Sequence, residues 1–203
     1  PATLRCSGDS VKAKLHIALL PPPGINLTKC VFKRLIDIDK CVHTTAIKLS
    51  NWIVCEDKRV SAKLLNAYGI RDKKLLSYHD HSTDKDREGI LKHLQEGKIV
   101  SLISDAGMPL IADPGYKLVQ LCHEKAIPVS SIPGANALLS ALQLSGLPSD
   151  CFSFYGFLPP KSKAIEDVFG EIKNKKETSI FYETAQRLTK TLVKIETVLG
   201  ERK

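Results

Sequence analysis

The residues of this sequence best placed to do chemistry are carboxylates that follow short apolar runs, and the first is Asp105. It stands in the stretch 99–115, IVSLISDAGMPLIADPG. Ile99, Val100, Ser101, Leu102 and Ile103 are apolar or small, a run too short for a helix and suited to a strand buried on both faces. The run breaks into Ser104, Asp105, Ala106, Gly107, Met108 and Pro109, a small-residue turn with a carboxylate near its start and a proline that cannot continue a ladder. A second turn, Asp113-Pro114-Gly115, follows. Two prolines and two glycines stiffen the loop, as a ligand site requires. Asp105 there either takes a proton from a nucleophile or braces the loop by accepting from backbone N–H groups.

Two further stretches have the same character. Glu56-Asp57-Lys58-Arg59 follows a strand-like run at 52–55. Its charges either meet a substrate or open a solvated helix, with the acids near the positive amino-terminal end. His79-Asp80-His81 ends another short run. Two imidazoles around a carboxylate suggest a metal, but no further Cys or His cluster completes a ligand set. A polar strand end or a rim facing substrate is the better reading, and no metal is expected.

The elements that must position these groups alternate. Strands are expected at 15–20, 52–55, 74–78, 99–103 and 127–132, with helices at 60–68, 86–95, 116–126 and 137–144 between and after the later ones. Such alternation makes an α/β fold, a five-stranded parallel sheet with helices on both faces, and ligands bind such sheets at the carboxyl ends of strands. Two more rigid loops fall at such ends, Pro21-Pro22-Pro23-Gly24 and Pro133-Gly134-Ala135-Asn136. The stretch 37–50 shows no clear pattern. Residues 146–150 read as a linker. Beyond them lie a strand at 151–157, a loop at 158–163, a helix, a strand at 178–182 and a last helix with Leu188, Leu192, Ile195 and Leu199 on one inward face. The expected division is a flexible segment 1–14, an α/β domain 15–145, and an incomplete second α/β domain 146–203 whose core needs further strands.

Composition narrows the function. No apolar run approaches the roughly 20 residues that span a bilayer, and 1–14 lack the apolar core of a secretory signal, so a cytoplasmic protein is expected. Six scattered cysteines without a C-x-x-C pair argue against a zinc ribbon or a disulfide framework and for buried free thiols. Thirty Lys and Arg against 22 Asp and Glu leave a net charge of +8, which favours phosphate-rich partners. No Gly-x-Gly-x-x-Gly, no P-loop and no Gly-x-Ser-x-Gly elbow is present. No aromatic-rich stacking platform is evident, so folded RNA fits better than a threaded strand.

Four segments, in order and at this spacing, resemble the bacterial 16S ribosomal RNA cytidine-2′-O-methyltransferases of the tetrapyrrole methylase superfamily: ISDAGMPLIADPGY (103–116), IPGANA (132–137), SGLPSDCFSFYGFLPPKSK (145–163) and IFYETAQRL (180–188). The resemblance covers roughly residue 50 to the end. It implies a two-domain α/β enzyme, commonly a homodimer, that binds S-adenosylmethionine in the cleft between its domains and methylates a cytidine 2′-hydroxyl in 16S rRNA or the small ribosomal subunit. It implies a cofactor site made of Pro23, Gly24, Ser104, Asp105, Ala106, Gly107, Met108, Leu110, Gly134, Ala135, Asn136, Tyr182 and Glu183. Asp105 and Glu56 are the implied catalytic groups, with His79 or His81 behind them, and Arg59, His81, Lys161, Lys163 and Arg187 the implied RNA contacts. Members of the family continue past the position of Lys203 with further strands, so a truncated member is expected. Two other readings stand beside this one: a small-molecule methylase acting on a tetrapyrrole, and a non-catalytic remnant that binds RNA or a partner.

Overall fold

The computed structural model describes residues 14–18, as backbone, and 43–200. Five parallel strands make the first sheet: β1 (Lys14–Ala18), β2 (Trp52–Cys55), β3 (Lys74–Ser77), β4 (Ile99–Ile103) and β5 (Val129–Ser131). Their order is β3-β2-β4-β1-β5, so the chain moves outward to β3, then turns back and inserts β4 between β2 and β1. The expected α/β architecture is therefore present. Residues 43–49, where the sequence showed no pattern, are helical (α1). Helices α2 (Lys58–Ala67), α3 (Asp84–Gln95) and α4 (Tyr116–Glu124) complete this half.

Alternation along the strands sends side chains to two separate cores. Val54, Val100 and Leu102 pack with Ile90, Leu91 and Leu94 of α3 and Leu118 and Cys122 of α4. Ile53, Cys55 and Ile103 point the other way, to Ile47 of α1 and Leu65 of α2. Both faces of the sheet are thus covered, which is why its strands read as unbroken apolar runs. Ser101, the polar exception in β4, is fully buried and meets Ser50 hydroxyl to hydroxyl at 2.6 Å. Ser50 Oγ in turn reaches the Ala46 carbonyl oxygen at 2.9 Å.

A second compact unit begins at Asn136. It holds α5 (Ala137–Ser145), β6 (Phe152–Phe157), α6 (Ser162–Ile172), β7 (Thr178–Tyr182) and α7 (Ala185–Leu199). The boundary precedes the expected 145/146 because α5 packs on β7 within this unit. β6 and β7 pair in parallel as a two-stranded sheet. Leu158, Ile165, Phe169 and Ile172 form its core, with Tyr155, Phe181, Ile195 and Leu199 against them. The last helix differs from expectation: Ile195 and Leu199 face this core, whereas Leu188 and Leu192 are 46% and 54% exposed.

Cys55 and Cys122 are buried free thiols, and burial pushes the Cys122 thiol up to about 11. Cys151 is also free but exposed. Among the described residues no helix is long and apolar enough to cross a membrane.

Candidate active site

All five strands of the first sheet run parallel, so the loops that follow β2, β3, β4 and β5 leave by one edge. That edge collects Glu56 and Asp57 after β2, His79 to His81 after β3, residues 104–115 after β4, and Gly134 and Ala135 beyond β5. A narrow, mostly apolar crevice there, with a volume of about 10 Å³, is lined by Glu56, Tyr78, Leu102, Ile103, Ser104, Pro109, Asp113 and Pro114.

The loop after β4 is built from constrained backbone. Gly107, Leu110 and Ala112 have φ of 77°, 71° and 59°, and the last two lack glycine's freedom, a form of strain found where surroundings enforce a conformation. Gly115, at φ 141°, is required: a Cβ on it would lie 2.8 Å from Leu110 Cδ1 and 2.9 Å from Leu102 Cδ2. The buried Ser104 hydroxyl draws the loop together. It hydrogen-bonds the Asp113 carboxylate and lies 2.9 Å from the Ala106 carbonyl oxygen. Asp105 reaches sideways to the start of α2, accepting from the Asp57 backbone N–H and, at 3.5 Å, from Ser61 Oγ.

These carboxylates lie close enough to raise one another's proton affinity. Partial burial, then the charges of Asp105, Asp113 and Asp80, hold Glu56 above the ordinary range. Burial and Asp57 do the same for Asp105. Burial, Asp80 and Asp105 raise Asp113, against the Ser104 hydrogen bond. Asp57 goes the other way, to about 2, because it accepts from the Arg59 side chain and backbone N–H while capping α2.

Arg59, expected to meet RNA, is solvent-exposed and paired with Asp57 at 2.9 Å. The His79 and His81 rings lie 6.2 Å apart on a turn closed by Ser82. Among the described residues no group of three or more His, Cys, Asp or Glu side chains is arranged to hold a metal. Pro23 and Gly24 lie outside the described residues.

In the second unit, Asn136 caps α5, its Oδ1 accepting from Leu139 N at 3.1 Å. The Glu183 side chain is 8% exposed and is bound by Arg187 Nε at 3.3 Å, Thr191 Oγ1 at 2.8 Å and Thr184 N at 2.8 Å. Arg187 Nη2 donates to the Leu158 and Pro159 carbonyl oxygens at 3.0 and 2.8 Å. These two side chains, expected at cofactor and RNA, are therefore engaged with their own unit. Lys161 and Lys163 are exposed. The Tyr182 ring packs against Phe154 and Phe157.

A family model described as Tetrapyrrole (Corrin/Porphyrin) Methylases matches residues 44–202. The chain belongs to this family. Among curated proteins it is similar to the ribosomal RNA small subunit methyltransferase I of Rickettsia prowazekii, with 46% identity over 78% of this chain and 56% of that protein. The protein of the same name from Escherichia coli O157:H7 is 40% identical over 96% of this chain and 64% of its own length. That of Halalkalibacterium halodurans is 44% identical over 77% and 54%. The chain thus spans somewhat over half the length of these relatives. Two solved structures share the fold. A diphthine synthase has a TM-score of 0.60 at 10% identity, over 91% of this chain and 70% of its own. The native form of uroporphyrin III C-methyltransferase from Thermus thermophilus has a TM-score of 0.51 at 15% identity, over 93% and 78%.

Three groups of this tetrapyrrole methylase chain were not among the site residues expected from its sequence. Asp113 carried a signal, since its Asp-Pro-Gly turn announces a rigid loop. Ser61 carried none, because only the approach of α2 to the β4 loop gives its hydroxyl a role. Phe157 was visible in the run FSFYGF, but its ring partner Tyr182 comes from another strand.

Proposed function

We propose that this chain is part of an S-adenosylmethionine-dependent methyltransferase that modifies the 2′-hydroxyl of a cytidine ribose in small-subunit (16S) ribosomal RNA. The observation that carries the reading is membership of the methylase family together with 40–46% identity to proteins named for small-subunit ribosomal RNA methylation, in a chain that gathers Glu56, Asp105 and Asp113 at the carboxyl edge of its sheet. S-adenosylmethionine supplies, when bound, an electrophilic methyl carbon on a positively charged sulfur.

The residues present suit that ligand. Glu56, Asp105 and Asp113 place negative charge where a sulfonium and an ammonium would sit, and the stiff backbone of Ser104, Ala106, Gly107, Met108 and Leu110 offers fixed amide edges. Gly134 and Ala135 stand on the same edge. Pro23 and Gly24 belong to the same proposal through the family resemblance. In the second unit, Asn136, Tyr182 and Glu183 would contribute backbone, since the side chains of Asn136 and Glu183 serve a helix cap and an ion pair.

Methyl transfer to a hydroxyl is an in-line displacement, so alignment within about 3–3.5 Å comes first. The hydroxyl proton must also leave. Glu56 and Asp105 are the acceptors proposed for it, and their raised proton affinity makes them better bases than ordinary carboxylates. His81, Arg59, Lys161 and Lys163 are the proposed RNA contacts, and a homodimer working in the cytoplasm completes the reading.

The test uses the full-length protein, labelled S-adenosylmethionine and small ribosomal subunits lacking the modification. The expected product is 2′-O-methylcytidine, identified by mass spectrometry of the digested RNA. Label entering a porphyrin or corrinoid and not the RNA would overturn the assignment. So would calorimetry showing no cofactor binding at millimolar concentration.

A further inference from the structure

We propose that Phe157 is a stacking surface for a base of single-stranded or looped RNA, with Lys161 and Lys163 as its phosphate partners. The proposal rests on the reading above that the substrate is RNA.

The strand β6 sorts its aromatic rings to two sides. Tyr155 turns inward and stacks on Phe181 of β7 at 5.0 Å between centroids, with Phe169 behind. Phe154 takes the other side and meets Tyr182 at 4.8 Å. Strict alternation would put Phe157 opposite Phe154. The pairing with β7 instead slips between Phe154 and Phe157, at Gly156 with φ 67°. An extra residue of this kind re-aims the side chain after it. Phe157 thereby joins the Phe154 side, 5.4 Å from the Tyr182 ring, and stays 55% exposed.

The backbone immediately beyond is fixed. Leu158 is buried, and Arg187 holds the carbonyl oxygens of residues 158 and 159. Glu183 neutralises Arg187 and is itself held by Thr191 and Thr184. What this latch presents to solvent is Phe157, Pro160, Lys161 and Lys163. Neither lysine has a carboxylate within ion-pair distance among the described residues. Glu166, the first acid along α6, is paired with Lys194 at 3.1 Å.

An exposed ring followed four and six residues later by two exposed lysines without a carboxylate partner, on a chain of net charge +8, suits one occupant. A nucleotide lays its base on the ring and its phosphates against the cations. An apolar protein segment would cover the ring and leave both charges without counterions. Arg187 and Glu183 are then positioning residues.

The test is fluorescence anisotropy of a short labelled single-stranded oligoribonucleotide with the full-length protein, run beside the methyl-transfer assay. Phe157→Leu keeps apolar bulk without a π face. It should weaken RNA binding about tenfold, leave S-adenosylmethionine affinity and the circular dichroism spectrum unchanged, and be rescued in Phe157→Trp. The double variant Lys161→Ala, Lys163→Ala should make the log–log salt slope shallower by about 1.4. Wild-type RNA affinity in Phe157→Leu would show that the ring only packs and would overturn the proposal, as would absence of oligonucleotide binding by the wild type. Oligonucleotide binding that depends on Phe157, without methyl transfer to RNA, would support the stacking surface while refuting the methylation reading.

Discussion

The carboxylates at the sheet edge are held at a cost to the fold. Asp113 binds its proton more tightly folded than unfolded, through burial first and then Asp80 and Asp105. A raised carboxyl pKa favours the folded state fully only below the unfolded value, and that contribution is lost as pH rises through the folded value. Asp113→Asn, which keeps an oxygen for Ser104, should therefore raise Tm at neutral pH. The gain should shrink toward nothing as pH falls below the ordinary aspartate range, and melting curves across pH check both. Asp105→Asn should lower methyl transfer by about 10²-fold if its carboxylate takes the proton, with kcat measured at saturating cofactor. At this scale the sequence was partly legible. Asp105 and Glu56 stood out because an acid after an apolar run is visible in one dimension. Ser61 was not, since its partner is 44 residues away, and Glu183 and Arg187 show their inward pairing only once β7 and α7 are packed.

At the level of elements, buried parallel strands were readable because sheet faces covered on both sides leave uninterrupted apolar runs. All five strands of the first sheet fall within two residues of their expected bounds at either end, and β2 and β4 match at both. Two assignments needed tertiary information. The apolar pattern of α5 says that it is buried but not on which sheet, and packing on β7 decides. In α7 the spacing groups four apolar residues, whereas of these only Ile195 and Leu199 reach the core built around α6. The loop after β4 yields the sharpest prediction of this kind. Gly115→Ala drives a Cβ into Leu110 and Leu102 at a backbone angle that L residues avoid. It should destabilise the first unit by about 1–3 kcal/mol, read from urea unfolding.

For the molecule as a whole, the excess of eight positive charges predicts, under the proposed function, an RNA affinity that depends on ionic strength. Plotting log affinity against log salt should give a straight line of negative slope, and a flat line would place the binding energy elsewhere. Composition carries the sign of this expectation, while its size depends on how many phosphates the folded surface contacts. The interior position of β1, between β4 and β5, has a different outcome, during synthesis. Its register partner for Ala18 is Ile103, so the nascent chain must emerge by about 85 residues more before that pair can close. At the usual elongation rate of roughly 5–20 residues per second, the segment waits several seconds with both hydrogen-bonding edges open. A chaperone that masks newly exposed strands would find its longest opportunity there.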